Sequence, residues 1–486
     1  MMNHSHLLNS TVSILLCLGF LFQTGFLITS SQAHTPLLFD LNEDVELLIL
    51  APCEFTEELQ PLIAHKNSYD ISCKLVSLHT VYDAMYWQGR DHAEKIKYFI
   101  KNAHEYWNTE YVLLVGGLQG QGPKWYCPVR YVLMDDNWED RYISDLYFAD
   151  IYESDESFSS WDSDGDDLYG EWYYEEPADD INIDLEPDIA VGRLPCRSPF
   201  EVTIMVDKII TYETLTYGQS WFDTFVCIAG DTYPVMYNPN WTGNEGEYYC
   251  DRAIENMTGF TPIRLYTSDG SLSKERDVIN TLNNGCGFVY FNGHGNPQTW
   301  GNHPPDSEEF ITGLTTKTIS LLRNGEKMPI CLVGGCHNSQ FDVNIYRFFE
   351  GLREMGLQFF QYEFYKKEWV PECWGWRMTR KIGGGSIATL GCSALGYTKE
   401  DKDSFVGGLD EVEGQFFVEY RHHGHTVLGD AWKAAVSSYV NHYPIDWFSE
   451  AVSDSWIDAK VAQSWALFGD PSLQIGGYAE TPCSSS

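Results

Sequence analysis

The sequence predicts an α/β protein built on mostly parallel sheets flanked by helices. Three observations lead there. Strand-length apolar runs recur along the chain, and several end in glycine. Helical stretches separate them. The runs are apolar throughout rather than alternating, as strands covered on both faces are. No internal repeat competes with this reading.

The N-terminus is apolar from Val12 to Ile28, and Ser31 to Ala33 resemble a signal-peptidase site. Residues 1–33 are therefore read as a signal peptide, although no Lys or Arg precedes the run. The other reading is an uncleaved anchor, because the run is near the lower length limit for spanning a bilayer. No later segment is apolar enough to span. "VELLILAP" (Val45 to Pro52) and "YVLLVGG" (Tyr111 to Gly117) read as buried strands. Between them, Arg90 to Trp107 reads as an amphipathic helix with Ile96, Phe99, Ile100 and Ala103 on one face. An irregular acidic stretch follows from Asp135 to Asp188, then a helix near Pro199 to Thr214. A second strand set comprises "DTFVCIAG" from Asp223, "CGFVYFNG" from Cys286, "MPICLVGG" from Met328 and "GGSIATLG" from Gly384. The boundary between the sets is placed near Gly218. This gives two α/β units, 36–217 and 218–478, and a tail at 479–486.

Composition narrows the function. A chain of 486 residues with 43% hydrophobic and 15% aromatic side chains is globular. A net charge of −39 excludes a nucleic-acid binder. It is compatible with an extracellular surface, metal binding or attraction for basic substrates. None of the 13 cysteines forms a CxxC pair, which excludes zinc-ribbon and thioredoxin-like sites. Cys17 would leave with the signal, and Cys53 and Cys73 are spaced to pair in an oxidising compartment. Asn240 and Asn256 sit in glycosylation sequons.

Several motifs carry no chemistry. "GGLQGQG" (Gly116 to Gly122) follows a strand but lacks the GK[ST] of a phosphate loop. "HHGH" (His422 to His425) lacks metal-ligating partners at fixed spacing. There is no HExxH and no GxSxG.

One constellation remains. Ligands of open α/β sheets sit at the carboxyl ends of parallel strands. One strand ends at Gly293-His294-Gly295, and another at Gly334-Gly335-Cys336-His337-Asn338. A thiol at a strand end meets substrate, and a histidine at a neighbouring strand end can serve as its base or proton donor. Glycine beside the histidine leaves a backbone N–H to face a developing oxyanion.

Strand–Gly-His-Gly followed by strand–Gly-Cys resembles the clan of caspases, legumains, separases and gingipains. The wider sequence resembles the gingipain-like cysteine peptidases, family C25. It does so through "YISDLYFADI", "PDIAVGRLPCRS", "NGHGNPQTWG", "GGCHN" and "WALFGDPSLQI", in that order. The resemblance implies two caspase-like subdomains, each a mostly parallel sheet flanked by helices. It makes Cys336 the nucleophile, His294 the general acid, and the Gly295 N–H, with that of Cys336, the oxyanion hole. It implies that Asp231 orients His294 and keeps it protonated. It assigns Glu247, or Glu245 beside it, as the acid that reads a basic P1 residue, and Tyr397 as a wall of that pocket. The "CHN" after the nucleophile departs from the gingipain residues and puts subsite shape in question.

Asp162, Asp164 and Asp166 alternate as at the start of an EF-hand loop. Asp167 replaces the turn glycine and Tyr173 the twelfth-position glutamate, so this is not an EF-hand. A structural calcium site in this loop would draw also on Asp145, Asp150 or Glu171, and the resemblance implies calcium binding. The expected function is a secreted or cell-surface cysteine endopeptidase acting on proteins or peptides with basic P1 residues. Two rivals remain: an inert surface or adhesion protein of the same fold, and a Cys–His transpeptidase or amidase.

Overall fold

The computed structural model describes residues 39, 42–173, 176–234, 244–399, 407–449 and 453–479. The N-terminal apolar run, the Asn240 sequon and the tail beyond residue 479 lie outside them. Ten strands form one sheet: β1 (Leu47–Ala51), β2 (Cys73–Ser77), β3 (Tyr111–Val115), β4 (Ala190–Leu194), β5 (Thr224–Ala229), β6 (Thr261–Tyr266), β7 (Phe288–Asn292), β8 (Ile330–Gly334), β9 (Ala388–Cys392) and β10 (Trp465–Phe468). Their order is β2-β1-β3-β4-β10-β9-β8-β7-β5-β6. All pairings are parallel except that of β10 with β9. The expected α/β class, a mostly parallel sheet with helices on its faces, is what the chain forms.

Strands β1, β3, β7, β8 and β9 are buried along their whole length, which is why they read as unbroken apolar runs. The helix expected at Arg90 to Trp107 spans His92–Trp107. Asp91 caps it by accepting the Glu94 N–H, and Asn108 ends it in the left-handed region. The acidic stretch after Asp135 is irregular, as expected, and is anchored by the fully buried Trp161 and Trp172.

The expected boundary near Gly218 falls between the helix Pro199–Leu215 and β5. It does not separate two cores. Strand β10 comes from the end of the chain, yet it pairs with β9 on one side and meets β4 at Phe468 and Arg193 on the other. One apolar cluster therefore runs from Phe39 to Ile475 through both halves. A second cluster fills the other face of the later half, around Phe291, Trp300 and Trp374. A buried charge cluster ties the halves again: Lys66 lies 2.7 Å from Glu213 and 2.8 Å from Asp470.

Among the described residues no helix is long and apolar enough to cross a membrane. The eleven described cysteines are free thiols, so the expected Cys53–Cys73 pairing is not formed.

Asp145, expected as a calcium ligand, has another task. Both its oxygens accept from the fully buried guanidinium of Arg193, at 2.6 and 2.7 Å. Arg193 sits on β4 at the seam with β10, so the pair braces the junction of the two halves. Asp145→Ala would leave that cation buried and unpaired. It should cost about 3–5 kcal/mol of stability, measured by denaturant unfolding. A loss below about 1 kcal/mol would show that the pair does not brace the seam.

Candidate active site

Strands β7 and β8 are parallel neighbours in register, with Asn292 opposite Gly334. The chain beyond each strand therefore leaves the sheet at the same level. His294 and Cys336, two residues past those partners, line one narrow pocket of about 30 Å³. The strand register brings these two residues to the lining of one pocket.

The turn after β8 is sharp. His337 takes a left-handed backbone, φ 57°, which a residue with a side chain adopts only when its surroundings hold it there. Its ring nitrogen Nε2 lies 2.8 Å from Glu139, and its N–H donates to the Ala394 carbonyl at 2.8 Å. Glu139 accepts also from the Leu395 N–H, and Lys460 lies 2.7 Å away. Against the cost of burial, His337 and Lys460 hold the Glu139 carboxyl down at about 2. An ionised carboxylate from the first half of the chain thus pins the turn that presents the cysteine.

The Asn338 amide stitches the two loops together by donating to the carbonyls of Asn296 (2.8 Å) and Thr299 (3.1 Å). Around it the backbones are close. A Cβ on Gly295 would lie 2.1 Å from the Asn338 Oδ1 and 2.9 Å from the Cys336 carbonyl. Glycine is required there by proximity. His294 and Gly295 open a short hairpin with Thr299–Asn302. Asn296 and Thr299 exchange backbone hydrogen bonds at 3.0 and 3.3 Å. The adjacent pair, Gly295 opposite Trp300, is then a non-bonded pair, and the Gly295 N–H points out of the hairpin.

His294 places Nε2 2.7 Å from the Thr232 carbonyl. A carbonyl only accepts, so Nε2 carries the proton, and Nδ1 is the nitrogen left to exchange one. Burial pushes the imidazole below its usual range, with His303 adding to the effect and the Thr232 carbonyl opposing it. Burial likewise pushes the Cys336 thiol up. Both shifts favour the neutral thiol and the neutral imidazole.

Four expectations about neighbouring residues are corrected. Asp231 does not touch His294. It accepts the Asp306 N–H at 2.8 Å, and its backbone pairs with His303. The orienting acceptor is instead the carbonyl of Thr232, and burial favours the neutral imidazole over the protonated one. Glu247 is used up by the neighbouring turn, accepting from the Ser268 hydroxyl (2.6 Å) and N–H (3.0 Å). Glu245 accepts the Tyr233 N–H at 3.2 Å, and burial and Asp231 push its carboxyl to about 7. Neither glutamate lines the pocket. Tyr397 points away, packing on Trp456 and donating to Asp136 at 2.8 Å, while its neighbours Gly396 and Thr398 form the wall.

Among the described residues, the carboxylate that does line the pocket is Asp410. It is held at 2.6 Å by the Asn292 amide, and burial pushes it to about 6. The hydroxyls of Tyr233 and Thr398 meet across the pocket at 2.8 Å. Sequence reasoning missed Asp410, Thr232, Glu139 and Asn338. Only Asn338 carried a signal, its place two residues after the thiol.

With that geometry in hand, comparison with known proteins is informative. The profile of peptidase family C25 matches residues 40–476. The chain belongs to peptidase family C25. It is 19% identical over 461 residues to gingipain R2 of Porphyromonas gingivalis, an alignment that covers 94% of this chain and 49% of that protein. It is 24% identical over 229 residues to Lys-gingipain of the same species, covering 47% of this chain and 11% of that one. The chain thus spans about half the length of gingipain R2. The crystal structure of the Arg-specific cysteine proteinase gingipain R superposes with a TM-score of 0.59 at 17% identity, covering 91% of this chain and 80% of that one. That likeness establishes the C25 fold.

The six residues expected around calcium do not converge. Asp162, Asp164 and Asp166 bring carboxylate oxygens within 4.8 Å of one another. Asp145 is taken by Arg193 as described. Asp150 accepts from the Trp161 indole at 2.8 Å and is pushed by burial to about 8. Glu171 accepts from the Tyr173 hydroxyl at 2.5 Å. In the triad, Asp162 is bonded to Arg90 and to the Gly165 N–H. Asp164 is pushed up by desolvation and by Asp166, whereas Arg90 holds Asp162 down against burial; the three grouped carboxylate oxygens are the ligand type that calcium takes.

The tight contact at Gly295 gives a direct test. Gly295→Ala should drive the hairpin off Asn338 and reduce any turnover by about 10²-fold or more, the scale of a lost oxyanion donor. The melting temperature should fall too, because Asn338 also helps to hold the register, so turnover is compared per folded molecule. Activity close to wild type would remove Gly295 from the site.

Proposed function

We propose that this chain is a secreted cysteine endopeptidase of gingipain type that favours Lys or Arg at P1. The observation that carries the reading is the meeting of Cys336 and His294 in one pocket at the ends of adjoining parallel strands. As the Cys336 sulfur attacks the scissile carbonyl, its proton passes to Nδ1 of His294. The carbonyl oxygen becomes an oxyanion facing the N–H groups of Gly295 and Cys336. Collapse breaks the C–N bond, and His294 returns the proton to the leaving amine. Water then hydrolyses the thioester, with His294 again as base. Secretion rests on the apolar run from Val12 to Ile28 and the small residues after it.

The P1 acid in this reading is Asp410 rather than Glu247. A buried carboxylate on the pocket wall is costly without a cation and favourable with one. The pocket is too small for a lysine side chain while the Tyr233–Thr398 bond closes it, so substrate entry parts that bond. Asp410 is pushed to about 6 and is therefore neutral below that pH and charged above it.

Cys336→Ala and His294→Ala should each abolish or reduce peptide cleavage, the latter by about 10²–10⁴-fold. Both should fold normally. In wild type the ratio of basic-P1 to neutral-P1 kcat/KM should rise as pH passes upward through about 6. The His294 ionisation cancels in that ratio. Asp410→Asn should flatten it. A ratio that is flat from acid to neutral pH, or that responds to Glu245→Gln and not to Asp410→Asn, would sink the assignment.

Calcium at Asp162, Asp164 and Asp166 belongs to the same proposal, where its chemistry would be structural: it would neutralise the crowded carboxylates of this loop. Chelation should lower the melting temperature, and added calcium should restore it. Asp164→Asn with Asp166→Asn should remove the response. A melting curve that ignores calcium over a wide range rules the site out.

A further inference from the structure

Beside the catalytic turn lies a second, much larger opening: a groove of about 820 Å³ that none of the expectations above used. Its position follows from the sheet order. His294 leaves the sheet from β7 and Cys336 from β8, and the groove lies on the far side of β8, toward Ser393 at the end of β9. Its inner end is formed by Glu139 and Gln340, the first bonded to His337 and the second four residues beyond Cys336. The catalytic turn and the groove therefore share a wall.

The outer wall is the segment after the nucleophile turn. It contains the helix Tyr346–Met355, which has half-buried and exposed residues but no fully buried one. The facing wall is the loop around Trp138. Trp138 is 43% exposed, with Lys366 over one face of its ring at 5.5 Å, and Tyr346 is 41% exposed.

Charge decides what such a groove takes. Eight carboxylates line it against three basic side chains. Arg347 is engaged by Asp342 and Glu368, and Lys366 by Glu363. Asp140 and Glu350 form no ion pair among the described residues. Gln340 and Asp342 each keep one buried side-chain oxygen without a donor. The surroundings are acceptor-rich, aromatic and net negative, which suits extended chain bearing Lys or Arg through ion pairing and cation–π contact.

We propose that this groove binds the peptide on the acyl side of the scissile bond and selects segments with Lys or Arg upstream of P1. The proposal rests on the cysteine-peptidase reading for its direction. The leaving amine collects its proton at His294, so the amine side departs toward β7. The acyl carbon is bonded to Cys336, and the chain attached to it continues the other way, across the turn to Glu139 and into the groove.

The test compares three fluorogenic amides with the same basic P1: a single-residue amide, a peptide with Lys or Arg upstream, and one with Gln upstream. In wild type the basic peptide should exceed the Gln peptide at least tenfold in kcat/KM, mainly through KM, and the advantage should shrink with salt. Asp140→Asn with Glu350→Gln should erase the advantage and leave the single-residue amide unchanged. Their positions on the rim make a folding defect visible as a shifted melting temperature. Equal rates on the basic and Gln peptides in wild type would overturn the proposal, as would a double variant that slows all three amides alike. A separate arm uses Cys336→Ala and measures binding of a fluorescently labelled basic decapeptide by anisotropy. Binding weakened about tenfold by the double substitution supports the groove even if no peptide bond is cut, a result that would instead refute the peptidase reading. Binding that prefers an acidic or apolar decapeptide overturns the groove assignment.

Discussion

The register of β7 against β8 is the constraint on which the site depends. Asn292 stands opposite Gly334, and the two loops that follow begin level with each other. A shift of one residue would turn His294 to the other face of its strand end and separate it from Cys336. The register is held from both sides. Below, the apolar residues of both strands are fully buried, so slippage would expose them. Above, Asn338 bonds the carbonyls of Asn296 and Thr299, and the Trp300 indole donates to the Gly334 carbonyl at 2.9 Å. Cys336 and His294 thus follow strands that are held in register from both sides.

The second half of the chain supplies both Cys336 and His294, and the first half holds the cysteine's turn in place. Glu139 reaches across to His337, Leu395 and Lys460. This is an ionised buried carboxylate with full partners, unlike Asp410 or Glu245, whose carboxyls burial pushes up. The difference is one of neighbours. Where a cation and N–H donors face the carboxylate, charge is retained and geometry is rigid. Where only amides or another acid face it, the group stays poised to accept a proton or a cation. Strand β10, arriving from the chain's end, is what makes this cross-talk permanent, because it closes the two half-sheets into one.

The parts legible in the sequence were those written in residue type and local period. Six of the ten strands read directly as apolar runs, and the helix His92–Trp107 as an amphipathic stripe. The remaining strands carry weaker signals. β2 is half-exposed, β6 begins with exposed Thr261 and Pro262, and β10 has four residues. β4 lies in "AVGRL", where Gly192 and Arg193 break the apolar run, and the arginine is there for Asp145. In the site, glycine-flanked Cys336 and His294 were legible because that pattern has few other uses. Glu139 and Asp410 were not, since acids are common in this chain and only the fold selects two of them. The same abundance explains the errors. Glu247 had the expected place in sequence, but the Thr267–Ser268 turn offers its carboxylate donors close by.

The neutral pair that burial favours connects specificity with reactivity. Burial raises the Cys336 thiol, so the thiolate is scarce until something lowers its cost. The pocket contains one described carboxylate, Asp410, and no described cationic side chain. A basic P1 side chain entering it would bring the missing positive charge within the same low-dielectric space as the sulfur, where opposite charges interact more strongly than in water. In the proposed mechanism the substrate's cation thus serves two ends. It pairs with Asp410, and it makes ionisation of the thiol and protonation of His294 easier at the moment of attack. A neutral P1 residue would forfeit both, and so would lose in turnover as well as in binding, as expected when an interaction is stronger in the transition state than in the ground state.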